Sequence, residues 1–237
     1  MIIECSERVG GSRIGADGKL RLVSALDLVQ DCECVGVESD KEFWGWFETN
    51  NMAMFLASRG VVIKRMPEYR ETLTVRTMPY AASPSLGYRY TEIVDSDGGL
   101  CVSCYSTAAY VDLALGRSAR VPKEVLASVE LHGLPSPPPG ARRVNVTGER
   151  VGTVTPIPVR LNDIDLNNHM NNVKYVESAL ELITRRDLAS LRVEYKSPAK
   201  FGDTLYTELF TNGEAAYARM ADADGKIFAV LEFCYAR

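Results

Sequence analysis

The sequence predicts an α+β fold that is written twice in one chain. Three pairs of segments match between the two halves in the same order: 24–29 with 178–183, 71–73 with 203–205, and 95–100 with 222–227. The offsets of 154, 132 and 127 residues shrink along the chain, as one insertion in the first half would produce. A repeat of this length indicates two copies of one supersecondary unit.

Each half predicts a short strand, a helix and then four strands. In the first half we expect a helix over 20–34 and strands over 2–9, 54–66, 72–78, 86–94 and 100–111. In the second half we expect a helix over 171–186 and strands over 157–161, 191–196, 204–210, 215–221 and 227–235. Val173, Val176, Leu180 and Ile183 follow helical spacing, whereas Val193 and Tyr195 alternate with polar residues as in a half-buried strand. One strand, one long helix and an antiparallel sheet wrapped around it describe the hotdog fold, so the chain is predicted to be a double hotdog.

The predicted boundaries are an N-terminal hotdog over 1–130, a proline-rich linker over 131–155 and a C-terminal hotdog over 156–237. Residues 134–140 read Leu-Pro-Ser-Pro-Pro-Pro-Gly, which is too rich in proline for a helix or a central strand. The insertion, 35–51, contains Phe43, Trp44, Trp46 and Phe47. These rings are expected to cover the sheet edge or the helix; the other interpretation is that they wall a lipid-like pocket.

Bulk composition excludes several classes of protein. The 237 residues carry a net charge of −4, which does not suggest a nucleic-acid binder. No apolar run is long enough to span a membrane and the N-terminus becomes polar too soon for a signal peptide, so a cytoplasmic protein is expected. Cys101 and Cys104 lie three apart in a predicted strand and point to opposite faces. Buried thiols are therefore favoured over a zinc site.

The segment 162–175 carries the chemistry. It reads Asn-Asp-Ile-Asp-Leu-Asn-Asn-His-Met-Asn-Asn-Val-Lys-Tyr and places Asp165, Asn167 and His169 two residues apart, directly before a helix. A carboxylate, an amide and an imidazole beside unpaired helix N-terminal amides can bind and polarise a carbonyl group.

Two other interpretations of this segment stay open. The second histidine of the chain is not a candidate catalytic residue. An Asx-rich turn that caps a helix has a similar composition. A calcium loop fits Asp163, Asp165 and Asn167 but fails at Asn168, where glycine should stand, and at Lys174, where glutamate should stand. His132 beside the linker is expected to lie on the surface.

The run 165–175 resembles the catalytic motif of acyl-ACP thioesterases, the plant enzymes and their bacterial relatives. Residues 109–112, 116–117 and 120–125, together with Pro67, Glu71 and Thr77, resemble that family's first hotdog. The resemblance implies hydrolysis of fatty acyl-[acyl carrier protein] without cofactor or metal, with Asp165, Asn167 and His169 as the catalytic group. The plant enzymes carry Glu-Cys where Pro198 and Ala199 stand here, which excludes a cysteine nucleophile and leaves Glu194 as an uncertain fourth carboxylate.

The resemblance implies a role for each of the three residues and leaves two alternative functions for the protein. Asp165 is expected to act as general base on water or as nucleophile, Asn167 to hold the carbonyl or the water, and His169 to orient Asp165 and assist the departing thiolate. Because only the second half carries the motif, one catalytic site per chain is expected. An acyl-CoA thioesterase and a non-catalytic acyl-binding hotdog protein are the alternatives.

The sequence predicts the binding partners of the protein less specifically than its reaction. The acidic carrier protein is expected to dock on basic residues, for which the candidates are Arg117, Arg120 and Lys123, then Arg142 and Arg143, and then Arg185 and Arg186. The sequence leaves a homodimer possible, since two hotdogs in one chain already form the pair that single-hotdog proteins reach by dimerising.

Overall fold

The computed structural model describes residues 1–236, which form two compact units. The first unit comprises Met1–Ala57 and Val61–Pro138, and the second comprises Ser58–Gly60 and the chain from Pro139 onward. Each unit contains antiparallel strands and one helix that packs on them, which confirms the predicted α+β double hotdog.

The first unit is a five-stranded antiparallel sheet with a long helix. Its elements are β1 (Ile3–Arg8), α1 (Leu22–Glu38), α2 (Lys41–Thr49), β2 (Met52–Ile63), β3 (Thr72–Ala82), β4 (Leu86–Asp95), β5 (Leu100–Asp112), the two-residue β6 (Arg117–Ser118) and α3 (Lys123–Ala127). The strand order is β1-β3-β4-β5-β2, and β6 pairs with β5. Helix α1 packs on β1, β3 and β4. A Cβ at Gly36 would lie 2.8 Å from Thr77 Cγ2, so glycine allows this close approach.

The second unit repeats this plan with shorter elements. They are β7 (Glu149–Pro158), α4 (Asn172–Leu180), β8 (Leu188–Tyr195), β9 (Thr204–Thr211), β10 (Ala215–Ala221) and β11 (Ile227–Tyr235). The strand order is β8-β11-β10-β9-β7, and α4 packs on β11. A one-turn 3₁₀ helix at Leu161–Asp163 precedes the loop that leads into α4.

The aromatic insertion of the first unit belongs to the core. Phe43 and Phe47 of α2 are buried with Met52, Tyr110 and Val121, and Trp44 and Trp46 pack against that cluster. The rings of Phe47 and Tyr110 lie 5.4 Å apart in an edge arrangement. Phe47 thus packs on Tyr110 of β5, and α2 contacts α1, as expected for rings that cover the sheet edge or the helix.

Hydrogen bonds establish how the two repeats correspond. The turn at Asp95 and the turn at Asp222 make the same backbone bonds, which confirms the offset of 127 residues. The offset of 132 is confirmed in the same way at Glu71 and Asp203. The helices, however, begin at Leu22 and Asn172, so their offset is 150 and not the predicted 154. The error of four residues is about one helical turn and therefore preserves the apolar face on which the prediction relied.

Two boundaries and the burial of one residue also differ from the prediction. Strand β7 begins at Glu149 rather than Ile157, inside the range predicted as linker; its residues are mostly exposed, so they lack the alternation that reveals a strand. Helix α4 ends at Leu180 rather than Arg186. His132 is only 20% exposed rather than on the surface, because its backbone N–H donates to Pro79 O (2.9 Å) and holds the segment against β3.

Candidate active site

The loop between the 3₁₀ helix and α4 closes on itself through backbone hydrogen bonds. Ile164 and Met170 form an antiparallel bridge, and Asp165 N donates to His169 O at 2.8 Å. Asn168 N donates to Asp165 O at 3.0 Å, and Asn168 adopts a left-handed conformation with φ of 58°. Asn tolerates that region better than most residues. Asp165 and His169 therefore stand opposite each other at the base of a tight turn.

The Asp165 carboxylate is held by this loop. Its Oδ1 accepts hydrogen bonds from Asn167 N (2.8 Å) and His169 N (3.4 Å). Within residues 1–236, Oδ2 receives no hydrogen bond. Asp165 and His169 are half-buried and Asn167 is exposed. One carboxylate oxygen is thus fixed by backbone amides, while the other is available to a substrate or a water molecule.

The start of α4 supplies one unpaired amide. Asn171 caps the helix: its Oδ1 accepts from Val173 N and its backbone carbonyl accepts from Lys174 N, both at 2.9 Å. Asn171 N itself donates to Asp163 O at 2.7 Å. The sequence predicted unpaired amides at the start of this helix; of the Asn171 and Asn172 N–H groups, only that of Asn172 has no acceptor within residues 1–236. Helix starts leave such donors aimed outward.

Tyr175 was missed by the sequence analysis. Its hydroxyl accepts a hydrogen bond from Ala199 N (2.9 Å), while Met170 N donates to Ala199 O (2.8 Å). Burial raises the pKa of Tyr175 to about 12, so the phenol stays protonated near neutral pH. A buried tyrosine in the first turns of a helix is a common core feature, and the spacing gave no signal of this tie between α4 and the 198–203 turn.

The candidate fourth carboxylate already accepts hydrogen bonds from two protein groups. Glu194 is only 5% exposed, its Oε2 accepts from Val144 N (3.2 Å), and its Oε1 accepts from Lys196 Nζ (3.1 Å). The alternation of side chains along the predicted strand did not determine to which face the Glu194 side chain points. The structure directs its carboxylate to the segment before β7 and to its own neighbour in β8.

The described residues contain neither a metal-binding cluster nor a membrane-spanning helix. Among residues 1–236 no three His, Cys, Asp or Glu side chains are grouped to hold a metal ion. Cys101 and Cys104 are both fully buried in β5, and burial raises the pKa of the Cys101 thiol. No helix within the described residues has the length and apolar character needed to cross a bilayer.

Comparison with protein families decides the assignment. Residues 8–129 match the acyl-ACP thioesterase N-terminal domain, and residues 147–225 match the acyl-ACP thioesterase C-terminal domain. The chain belongs to the acyl-ACP thioesterase family. The two family domains coincide with the two hotdog units, and the second one contains the whole 161–171 loop.

Individual relatives agree with the family. The chain is 28% identical to a chloroplastic palmitoyl-acyl carrier protein thioesterase of Cuphea hookeriana over 208 residues, covering 77% of this chain and 48% of that protein. An acyl carrier protein hydrolase of Cuphea viscosissima, FATB1, is 25% identical over the same shares. The chain spans about half the length of these curated relatives.

Solved structures share the fold along the whole chain. The 12:0-ACP thioesterase of Umbellularia californica has a TM-score of 0.87 at 15% identity, covering 99% of this chain and 97% of that one. An acyl-ACP thioesterase of Bacteroides thetaiotaomicron has a TM-score of 0.85 at 16% identity, covering 99% and 98%.

Proposed function

We propose that this chain hydrolyses the thioester of a fatty acyl group carried on acyl carrier protein, releasing the free fatty acid and holo-ACP. Family membership supports the reaction class, and the curated relatives are named for the same substrate class. The observation that carries the proposal is the Asp165 carboxylate, half-buried, fixed through Oδ1 and open at Oδ2 beside the start of α4.

The chemistry begins at Asp165. Acting as a general base, its carboxylate takes a proton from water while the water oxygen bonds to the thioester carbonyl carbon. The tetrahedral intermediate then collapses, the C–S bond breaks, and the departing thiolate takes up a proton to give the pantetheine thiol. Direct attack by Asp165 would instead form an anhydride that water hydrolyses in a second step. Single-turnover hydrolysis in ¹⁸O-labelled water tests the routes. General-base catalysis puts one labelled oxygen into the fatty acid and none into Asp165, whereas an anhydride that water opens at the Asp165 carbonyl carbon leaves both fatty acid oxygens unlabelled and puts the label into Asp165.

The negative charge on the intermediate needs a donor. The unpaired Asn172 N–H at the positive end of α4 is the backbone donor that we assign to the oxyanion. The exposed Asn167 amide is assigned to the carbonyl or the water, and the half-buried His169 imidazole to the orientation of Asp165 and the protonation of the thiolate. Asp165, Asn167 and His169 together form the proposed catalytic group.

The rival carrier is coenzyme A, and the rival class is an acyl-binding protein without turnover. Both are tested by one thiol-release assay in which the purified chain receives acyl-ACP and acyl-CoA with the same acyl group. We expect kcat/KM to be larger for acyl-ACP. A preference for acyl-CoA would support the rival carrier. Stoichiometric acyl binding without release of thiol from either substrate would contradict hydrolysis.

The location and assembly of the protein are separate proposals. The cytoplasmic location and the homodimer stay predictions from the sequence. Cell fractionation tests the first, and light scattering on the purified chain tests the second.

A further inference from the structure

The most exposed large apolar side chains of residues 1–236 surround the proposed catalytic loop. Leu166, between Asp165 and Asn167, is 93% exposed, Leu161 is 71% exposed and Phe201 is 65% exposed. Single exposed apolar residues are ordinary, but a group of them marks an interaction site.

These side chains lie on two segments that are hydrogen-bonded to each other. Val159 N donates to Asp203 O (2.9 Å), and Gly202 N donates to Val159 O (3.3 Å). Met170 N donates to Ala199 O (2.8 Å) at the other end of the loop. The turn that carries Phe201 is therefore fixed beside the loop that carries Leu161 and Leu166.

The loop architecture does not require these residues. The first unit builds the same loop and the same turn with the same backbone bonds. Its residues at the positions of Leu161, Leu166 and Phe201 are Gly11, Ala16 and Tyr69. The two leucines are therefore present only where the proposed catalytic residues are present, so we look for their role in a partner rather than in folding.

Two cations flank the apolar group. Arg160 and Lys200 are exposed, and neither forms an ion pair within residues 1–236. The nearby carboxylates of Asp163 and Asp203 are half-buried and accept the backbone N–H groups of Arg160 and Lys200, both at 2.8 Å. In the first unit the residues at these two positions are Gly10 and Glu68, and the cations of its loop stand at other positions, Arg13, Lys19 and Arg21.

We propose that Leu161, Leu166 and Phe201, with Arg160 and Lys200, form the surface on which the acidic acyl carrier protein docks to deliver its acyl thioester. We name this the loop docking surface. The inference rests on the proposed function, because the carrier must present its thioester at the loop that holds Asp165. Apolar anchors with flanking unpaired cations fit an acidic protein partner, since charge steers the encounter and buried apolar contacts hold the complex. Of the basic clusters predicted from the sequence, Arg185 is already paired with Asp187.

The first measurement is carrier binding without turnover. Fluorescence anisotropy follows labelled ACP that bears a non-hydrolysable acyl amide on its pantetheine. We expect Leu161→Ser/Phe201→Ser and Arg160→Glu/Lys200→Glu each to weaken binding by about tenfold or more. The matched controls are Leu115→Ser, which changes a leucine that is 59% exposed, and Lys41→Glu/Lys64→Glu, which reverses two exposed charges. Both controls should bind as the unchanged chain does. Arg142→Glu/Arg143→Glu tests the competing basic cluster predicted from the sequence.

The second measurement is kcat/KM on acyl-ACP and on the N-acetylcysteamine thioester of the same acid. The loop variants should lose more on acyl-ACP than on the small thioester, chiefly through KM. Circular dichroism and melting temperature establish that each variant is folded.

Several results would overturn the docking surface: unchanged carrier binding in both loop variants, equal losses on the two substrates, or a loss confined to the Arg142/Arg143 variant. It would also fail if the variants lost only binding to anionic vesicles, or only self-association in sedimentation, while keeping carrier affinity. If the unchanged chain bound ACP but hydrolysed neither substrate, the proposed hydrolysis would fail and the docking surface would stand.

Discussion

The chain contains the same loop twice, once with candidate catalytic residues and once without them. In the first unit Ile14 and Leu20 form the bridge that Ile164 and Met170 form in the second, and Gly15 N donates to Lys19 O at 2.8 Å as Asp165 N does to His169 O. Gly18, with φ of 76°, stands where Asn168 has φ of 58°. The backbone of the loop is thus independent of the residues it displays.

The difference lies in the side chains at three positions. Gly15, Asp17 and Lys19 occupy the places of Asp165, Asn167 and His169. In the first loop the Asp17 carboxylate accepts from Lys19 N (3.1 Å) and so caps its own turn. In the second loop the acid has moved to the base of the turn, where its second oxygen is open. The comparison teaches that the fold provides the turn and the sequence of one copy provides the proposed chemistry.

The largest expected effect is on turnover, and it should appear only when the second loop is changed. Asp165→Asn and His169→Ala should each lower turnover by at least about a hundredfold, the usual scale for a positioned acid–base group. The matched control is Asp17→Asn in the first loop, which should leave turnover unchanged. The thiol-release assay measures all three, with circular dichroism to establish folding. Near-normal turnover in a folded Asp165→Asn chain would refute the assignment.

A second effect concerns how each unit ties its loop to the neighbouring turn. The first unit has Pro67 where the second has Ala199, and proline has no backbone N–H that needs an acceptor. The first unit accordingly has Ala25, without a hydroxyl, where the second has Tyr175. Tyr175→Phe should cost about 1–3 kcal/mol of unfolding free energy, because the buried Ala199 N–H loses its acceptor. Urea denaturation measures this cost.

The control for Tyr175 copies the first unit. Ala199→Pro removes the orphaned donor, so it should cost less in the Tyr175→Phe background than in the unchanged chain. Additive costs in this double-mutant cycle would mean that the hydrogen bond does not explain the loss.

A third effect concerns the helix starts. Asn171 caps α4 through Val173 N, whereas Arg21, at the same place before α1, makes no side-chain cap. Asn171→Ala should therefore cost about 1 kcal/mol of stability, and Asn171→Asp should restore most of it. Thermal unfolding of the three chains checks this. If the alanine variant melted with the unchanged chain, the cap would contribute nothing and only the buried face of α4 would hold the helix.

The smallest effect concerns the turn itself. Asn168→Gly reproduces the first loop at Gly18, so melting temperature and turnover should change little. Asn168→Ile should cost about 1–2 kcal/mol, because a β-branched residue resists positive φ. A glycine variant that lost turnover while remaining folded would give the Asn168 side chain a role that the shared backbone does not suggest.

By itself the sequence determined the repeat, most of the strands and the position of the candidate site. Strands β10 and β11 begin and end at the predicted residues, and the Asp165–His169 group precedes a helix as expected. These features follow from local periodicity, turn residues and spacing. Such signals lie within each short segment and do not depend on the segments that pack against it.

Only the tertiary structure determined which polar groups are hydrogen-bonded and which are unpaired. The hydrogen bond from Val144 N to Glu194 joins residues that are 50 apart in sequence, and the hydrogen bond from Ala199 N to Tyr175 joins residues that are 24 apart. The tertiary structure also determined the exposure of Leu166, which helical or strand periodicity would not distinguish from a core leucine. A pattern specifies the face on which a side chain lies, but its burial and its hydrogen bonds depend on what the rest of the unit packs against it.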